Sequence, residues 1–310
     1  MPPRPGPAKG YLFLLIAVLF WGGSASLAKF LFTTRFDPLI ITQTRSSLSF
    51  ILIALFFLFR DRSVFRVDRS DLPKFVLAGI FGISVTNYAY YYTVQEATIA
   101  TAILVQYTAP VLVMIYAVAV SREEVLTGAK IIALALSLTG CWLAVSGGDW
   151  NAIRLSGWTV VSGGASAVCY AFMLLISKHL LKRYSVWTFL TYAFGFSTLF
   201  WLFVNTPWEI AVKGYHAADW GIFWMFAVVS ILIPHAAFTM GLKLLEATTV
   251  GIATTLEPVV AILVAFLTLG ESLDGIQLLG AAFVVSAVLL LQVRIGLRKI
   301  PAREVNDARR

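Results

Sequence analysis

The sequence predicts an all-α membrane protein whose ten transmembrane helices form two inverted five-helix repeats. Three observations support this prediction. The 310 residues are 59% hydrophobic and 13% charged, with a mean hydropathy of +0.83. Ten apolar stretches follow one another along the chain, and short motifs of the first half recur in the second. A chain this apolar is neither a water-soluble domain nor intrinsically disordered.

Each apolar stretch holds about 20 residues, the length of helix that crosses the hydrocarbon core of a bilayer. The predicted spans, numbered 1 to 10, are residues 10–32, 38–59, 73–94, 97–120, 125–145, 155–176, 186–204, 220–242, 247–269 and 273–293. Span 1 also resembles a cleaved signal peptide around Ser24-Ala25-Ser26, but its apolar run is too long and further spans follow. We therefore keep it as a helix.

The basic residues predict the orientation of the spans, because Lys and Arg of short loops stay on the cytoplasmic side. Of 24 such residues, nineteen fall in the N-terminal segment, around the loops after spans 2, 4, 6 and 8, and in the tail. The opposite side has Arg35, Arg154 and Lys213, and Lys29 and Arg45 lie within spans. Both termini are therefore expected in the cytoplasm. The net charge of +8 indicates topology rather than a nucleic-acid partner.

The two halves of the chain repeat one pattern. The shared features are Glu-Ala-Thr at 96–98 and 246–248, a mid-span proline at 110 and 258, a glutamate thirteen residues after each proline, and an aromatic residue eight positions before a lysine in spans 1 and 6. Because five is odd, the second copy enters the membrane from the opposite face, as in many secondary transporters. The predicted division is a cytoplasmic segment 1–9, a first repeat 10–146, an inverted second repeat 153–293 and a basic cytoplasmic tail 294–310.

These motifs, in this order and occurring twice, resemble the drug/metabolite transporter superfamily and specifically its EamA-type exporters. The residues that carry the resemblance are Trp21-Gly22, Arg45 early in span 2, Ala97-Thr98 and Ala247-Thr248 before the prolines, Leu256-Glu257-Pro258, and Gly270-Glu271. The resemblance covers residues 10–293. One departure is that span 4 has Thr108-Ala109-Pro110 where span 9 has Glu257-Pro258, so the halves differ chemically.

Within the superfamily the chain is most similar to bacterial inner-membrane amino-acid exporters, including the aromatic amino-acid exporters. The resemblance implies a multi-pass protein of the bacterial inner membrane that exports amino acids.

Three prolines predict where a substrate site lies. Pro110, Pro234 and Pro258 each remove a backbone hydrogen bond within a span, and lipid cannot satisfy the freed carbonyl. Matching interruptions in both halves indicate a site at the midplane, so we expect spans 4 and 9 to line it. A kink needed only for packing is the alternative.

Polar groups and aromatic rings at membrane depth are the candidate substrate-binding residues. They are Trp21, Asn87, Tyr88, Tyr91, Gln106, Tyr107, Trp158, Tyr170, His235 and Glu257. In span 3 the tyrosines follow a helical spacing that places them along one stripe, where they could stack on a flat or amphipathic solute or form an interfacial aromatic belt.

Arg45 and Glu257 are charged residues that cannot easily reach the membrane surface. A charge at the bilayer centre costs about 2.5–3.5 kcal/mol on insertion scales, so each should face a partner or water. Arg45 could anchor helix packing through backbone carbonyls or bind a substrate carboxylate, and the resemblance favours packing. Glu257 could accept a structural hydrogen bond, contact an amine or carry a proton.

The predicted function is a secondary carrier that exports amino acids by alternating access. The nucleotide motif GxxxxGK[ST] is missing, so the chain cannot use ATP itself. We expect no cofactor, metal or enzymatic activity, small-molecule and lipid partners, and a monomer or weak dimer. Cys141 and Cys169 have no metal-binding or redox spacing.

Three alternatives stay open: an exporter of another small metabolite or drug-like compound, a channel, and an intramembrane serine protease that uses Ser166 and His235.

Overall fold

The computed structural model describes residues 7–34, 36–269 and 272–297. Every regular element in these residues is helical, and ten helices are long and apolar enough to cross a membrane. The predicted fold class is therefore confirmed. Several residues used above lie outside the described part: Arg35, Gly270, Glu271, the side chain of Lys29 and most of both terminal segments.

Six of the ten spanning helices are continuous and four are composite. In chain order they are α1 Pro7–Thr34; α2 Pro38–Arg60; α3, composed of Leu72–Leu77, the π-helical Ala78–Val85 and Thr86–Glu96; α4, composed of Ile99–Gln106, Ala109–Ile115 and the π-helical Tyr116–Val120; α5 Gly128–Ser146; α6 Gly157–Leu180; α7 Val186–Val204; α8, composed of Ala217–Ala227, the π-helical Val228–Leu232 and Ile233–Leu244; α9, composed of Ala247–Thr254 and Leu256–Leu269; and α10 Gly275–Leu297. Short 3₁₀ turns Arg62–Phe65, Arg69–Asp71 and Trp150–Ala152 and a helix Pro207–Val212 lie between them.

The interruptions occur in corresponding helices of the two halves. Both α3 and its counterpart α8 contain a π-helical segment in mid-course. Both α4 and its counterpart α9 break, α4 at Tyr107 and Thr108 and α9 at Thr255. Pro110 and Pro258 stand in the first turn after these breaks, where the missing proline N–H leaves no hydrogen bond unmade.

Helix packing follows the pattern that a two-fold axis would produce. Helix α1 packs on α8 and α9, and its counterpart α6 packs on α3 and α4. Likewise α2 packs on α8, and its counterpart α7 packs on α3. Helix α2 also packs on α7, and α5 packs on α10; in each of these two pairs the helices are counterparts of each other. Exchanging each helix for the one five places along converts each of these contacts into itself or into another of them. This packing fits two inverted five-helix repeats.

Small residues allow these helices to approach closely. A Cβ atom on Gly140 of α5 would lie 2.7 Å from the carbonyl oxygen of Gly280 in α10. A Cβ atom on Gly22 of α1 would lie 2.8 Å from the carbonyl oxygen of Glu257 and 2.9 Å from the nitrogen of Ala261, both in α9. Glycine at such crossings is the usual means by which membrane helices gain close packing.

We call the end of the bundle that carries the start of α1 the N-side and the opposite end the far side. At the N-side, the buried carboxylate of Asp71 joins the connection before α3 to the one after α6. It accepts hydrogen bonds from Lys74 Nζ at 2.7 Å, Arg183 Nη1 at 2.7 Å and the Tyr184 hydroxyl at 2.8 Å.

The substitution Gly22→Ala should lower the melting temperature of the purified protein. The added methyl group would overlap α9, and overpacking of this kind typically costs about 1–3 kcal/mol. The matched control is Gly23→Ala, since a Cβ atom on Gly23 meets nothing within 4 Å and alanine is the better helix former. We expect Gly23→Ala to keep or slightly raise the melting temperature; equal losses in the two variants would contradict the α1–α9 contact.

Candidate functional site

A cavity of about 160 Å³ lies between the two halves in the middle of the bundle. A buried water needs roughly 10–15 Å³ on this scale, so the cavity has room for on the order of ten. Seven helices line it: α1, α2, α3 and α4 of the first half and α6, α8 and α9 of the second. The lining includes Val94 and Ile99, on either side of the α3–α4 connection. The cavity therefore extends from the middle of the bundle toward the far side.

Most of the residues that the sequence singled out meet in this cavity. Eight of the ten candidate substrate-binding residues line it, as do Arg45 and Pro258; the eight are Trp21, Asn87, Tyr91, Gln106, Tyr107, Tyr170, His235 and Glu257. Their part in binding a substrate stays a prediction.

Tyr88 and Trp158 are not brought to this cavity. Successive helical residues point about 100° apart, so Tyr88 turns away from the face of Asn87, and its ring centroid lies 5.8 Å from that of Trp201. The side chain of Trp158, in the first turn of α6, is 74% exposed. That position suits a tryptophan at a membrane interface.

Pro110 and Pro234 are buried but do not line the cavity either. Pro110 packs across the halves, because a Cβ atom on Gly251 of α9 would lie 3.5 Å from the Pro110 Cα atom. Pro234 is the second residue after the π-helical segment of α8. Both prolines shape helices that line the cavity.

Four further polar residues line the cavity but were not predicted from the sequence to do so, namely Ser24, Thr86, Tyr90 and Ser230. Thr86 and Tyr90 form the helical column next to Asn87 and Tyr91, so an i, i+4 spacing search could have found them. Ser230 lies within a π-helical segment, and no sequence pattern indicated that the helix departs from α geometry there.

Arg45 joins three helices at the cavity wall. Its Nη1 atom donates to the Tyr91 hydroxyl at 2.6 Å and to Ser230 Oγ at 3.2 Å, and its Nη2 atom donates to Asn87 Oδ1 at 3.0 Å. The guanidinium also lies over the rings of Tyr91, at 5.0 Å, and Phe226, at 5.3 Å. The sequence predicted backbone carbonyls as the packing partners of Arg45; the partners are instead side chains of α3 and α8.

Glu257 stands in the first turn after the break in α9, where the helix N-terminus favours a negative charge. Its Oε2 atom accepts a hydrogen bond from the Tyr107 hydroxyl at 2.7 Å. Tyr107 is the residue at which α4 breaks, so this bond joins the two interrupted helices across the cavity. Nearby, the Tyr170 hydroxyl donates to Thr254 Oγ1 at 3.0 Å.

His235 is held among aromatic rings. Its Nδ1 atom lies 3.0 Å from the carbonyl oxygen of Ile231, and because a carbonyl only accepts, Nδ1 carries the hydrogen. The ring centroid lies 5.2 Å from that of Trp21 and 5.6 Å from that of Phe194. A neutral imidazole in this tautomer has an acceptor at Nε2.

Ser166 and His235 do not form the contact that a serine protease requires. Ser166 is buried, its Oγ atom donates to the carbonyl oxygen of Thr86 at 3.4 Å, and the His235 Nδ1 hydrogen is committed to Ile231. The nucleophile–base hydrogen bond is not formed.

A charge cluster joins the two halves at the N-side: Lys130 and Glu124 are buried, and the side chain of Glu246 is about half exposed. Lys130 Nζ in α5 lies 2.8 Å from Glu124 Oε2 and 2.8 Å from Glu246 Oε2. Glu124 Oε1 also accepts the backbone N–H of Thr248 at 3.1 Å. These contacts join the first half to the start of α9, whose segment Ala247–Thr254 is buried throughout.

The model of the EamA-like transporter family matches the chain twice, at residues 8–146 and 157–293. The chain belongs to this family. The two matches coincide with the two five-helix halves, and the resemblance to EamA-type exporters of the drug/metabolite transporter superfamily is confirmed. This chain is thus a multi-pass membrane protein of a transporter family.

Relatives of this EamA-like protein extend over nearly its whole length. The threonine/homoserine exporter RhtA of Salmonella typhimurium strain SL1344 is 28% identical over 89% of this chain and 88% of its own. The uncharacterized inner membrane transporter YicL of Salmonella typhimurium strain LT2 is 23% identical over 92% and 95%, and an uncharacterized transporter of Archaeoglobus fulgidus is 28% identical over 82% and 86%. A solved crystal structure with a TM-score of 0.77 and 17% identity covers 94% of this chain and 99% of its own; it shows the fold alone.

In this EamA-like protein, Tyr107→Phe should lower the melting temperature more than Tyr170→Phe. The first change removes the one hydrogen bond that Glu257 accepts within the described residues, and a bond to a charged group is worth about 1.5–3 kcal/mol. The second leaves Thr254 bonded to the Gly251 carbonyl and removes a neutral bond worth about 0.5–1.5 kcal/mol. Thermal unfolding in one detergent compares them; an equal or reversed order would contradict the importance of the Tyr107–Glu257 bond.

Proposed function

We propose that this protein is a secondary carrier that exports amino acids across the bacterial inner membrane by alternating access, with its N-side in the cytoplasm. The observation that carries the proposal is the midplane cavity, which both halves line through interrupted helices and which extends toward the far side. A cavity that extends toward one side fits one state of a carrier, in which the charge cluster of Lys130 holds the N-side closed. The excess of Lys and Arg in the N-side loops supports the cytoplasmic assignment.

The chemistry of the cavity supports amino acids as the cargo. Arg45 supplies a cation, Glu257 a carboxyl group, and several aromatic rings the apolar surface. The exporter RhtA, which is named for threonine and homoserine, aligns over most of the chain. The rings of Trp21, Tyr107 and Tyr170 can also accept larger apolar side chains, so we include neutral and aromatic amino acids in the proposed range.

Both halves of the proposed site belong to one chain, which is consistent with a monomer or a weak dimer. YicL, which is named as an inner membrane transporter, also aligns over most of the chain and supports the proposed location.

Transport in proteoliposomes tests the proposed function. We expect labelled threonine, homoserine, methionine or phenylalanine to enter at a saturable rate, and unlabelled substrate on the opposite side to accelerate entry, because a carrier exchanges substrates. Empty liposomes are the control. Entry of other small metabolites but of no amino acid would overturn the assignment of cargo, and entry that never saturates would indicate a channel.

The substitution Lys130→Gln should lower, several-fold, the half-saturation concentration for substrate presented on the N-side. Removing the lysine leaves Glu124 and Glu246 facing each other, which destabilises the closed N-side. The apparent affinity of a site rises with the fraction of protein in the state that exposes it.

The control is Lys182→Gln. Lys182 pairs with Glu123 at the same end of the bundle, but both side chains are about half exposed, and exposed pairs contribute little. An unchanged half-saturation concentration in Lys130→Gln would show that the cluster does not hold the N-side closed.

A further inference from the structure

Resting on the proposed function, we propose that Arg45 binds the carboxylate of the substrate and Glu257 binds its ammonium group, so that the cavity selects zwitterions. Arg45 stands on α2 of the first half and Glu257 on α9 of the second, and both line the same cavity.

Arg45 is a buried cation whose hydrogen-bond partners are all neutral. Its side chain is 3% exposed, and it bonds to a tyrosine, a serine and an asparagine. Within the described residues no carboxylate lies within 4.0 Å of it, and its Nε atom has no partner. Three of its five N–H groups are therefore used. Hydrogen bonds to neutral groups fix its position without neutralising the charge, which leaves the carboxylate of a ligand as the missing partner.

Glu257 has spare capacity to accept hydrogen bonds. Oε2 accepts from Tyr107, whereas Oε1 makes no hydrogen bond to the described part of the chain. No lysine or arginine of that part lies within ion-pair distance. An ionised carboxylate has about four lone-pair sites, so an ammonium group can bind here while the Tyr107 bond is kept.

Arg45 and Glu257 do not neutralise each other, although they share one cavity. The separation between them exceeds the 4.0 Å limit of an ion pair. An anionic solute would leave Glu257 without a partner of opposite charge, and a cationic solute would leave Arg45 without one, each with a large electrostatic cost in a buried site. A zwitterion supplies both partners at once and adds no net charge to the membrane interior.

This mode of binding also links the substrate to the transport cycle. Because Arg45 belongs to the first half and Glu257 to the second, a bound zwitterion connects the halves whose relative arrangement changes. A ligand that touches both halves can bind two states with different affinity, which is the requirement for shifting between them.

The test is competition by substrate analogues that each lack one charge. Threonine, threoninamide and N-acetylthreonine compete for the transport or binding of labelled threonine, with the corresponding phenylalanine compounds as a second series. The amide has no carboxylate and the acetyl compound has no ammonium group. For the unmodified protein we expect each analogue to bind at least tenfold more weakly than the amino acid.

Two variants should each lose selectivity for a different charged group of the substrate. In Arg45→Gln, the ratio of amide to amino-acid inhibition constants should fall toward one, while the ratio for the acetyl compound stays high. In Glu257→Gln, the acetyl ratio should fall and the amide ratio should stay high. A purely structural role for either residue would weaken all ligands together and leave both ratios unchanged, and that result would overturn the proposal.

The substitution Asn87→Asp tests the same point without removing Arg45. Asn87 Oδ1 already accepts from Arg45 Nη2 at 3.0 Å, so aspartate places a carboxylate of the same shape at that position. Aspartate also loses the bond from Asn87 Nδ2 to the carbonyl oxygen of Ile83, so the melting temperature is measured first to show that the variant is folded. In the folded variant we expect at least a tenfold loss of threonine affinity, because the internal carboxylate pairs with the guanidinium that the substrate carboxylate needs. Unchanged threonine affinity in a stable Asn87→Asp protein would contradict the proposal.

Failure of this inference can be told apart from failure of the proposed function. If the unmodified protein binds no amino acid of either series, the proposed function fails. If it transports amino acids but binds their amides and acetyl derivatives equally well, only the pairing with Arg45 and Glu257 fails.

Discussion

A helix that breaks within a bilayer exposes backbone groups that lipid cannot satisfy, and this constraint determines where the cavity lies. The breaks of α4 and α9 and the π-helical segments of α3 and α8 must turn toward protein or water. The breaks of α4 and α9 and the π-helical segment of α8 bring Tyr107, Glu257 and Ser230 to the cavity, whereas the π-helical segment of α3 packs on α6 and α7. The continuous helices α5 and α10 pack against each other at glycines and do not line the cavity.

The two halves share a backbone plan but differ in the side chains that do the chemistry. The first half contributes Arg45 and the second Glu257. The motif that leads from Glu124 to Lys130 at the N-side corresponds to the one that leads to Gln277 at the far side. A lysine bridges two carboxylates at the N-side, whereas Gln277 carries no charge and accepts the backbone N–H of Asp274. Equivalent folds with unequal contacts predict that the two ends of the bundle open with different ease in the proposed alternating-access cycle.

Much of this architecture could be predicted because membrane-spanning helices can be recognised in a sequence by their length and apolar composition. The ten spans and the repeat followed from hydropathy, proline spacing and recurring motifs. Helical periodicity also predicted that Asn87 and Tyr91 share one face of α3. Periodicity could not predict that Tyr91 lines the cavity and Tyr88 does not, because the spacing does not show which face of α3 turns inward. The π-helical segment that presents Ser230 leaves no pattern in the sequence, and the neutral partners of Arg45 come from helices far apart in the chain, so only the packed bundle reveals them.

Alternating access requires that one cavity be reached from each side of the membrane in turn. The direct measurement is the labelling of Gln106→Cys, a cavity residue, by a membrane-impermeant maleimide. It would be carried out in a protein whose Cys141 and Cys169 are replaced, in right-side-out and in everted vesicles. Alternating access predicts that position 106 is labelled in both kinds of vesicle and that amino-acid substrate slows labelling in both. Labelling from the far side alone, at every substrate concentration, would contradict the account.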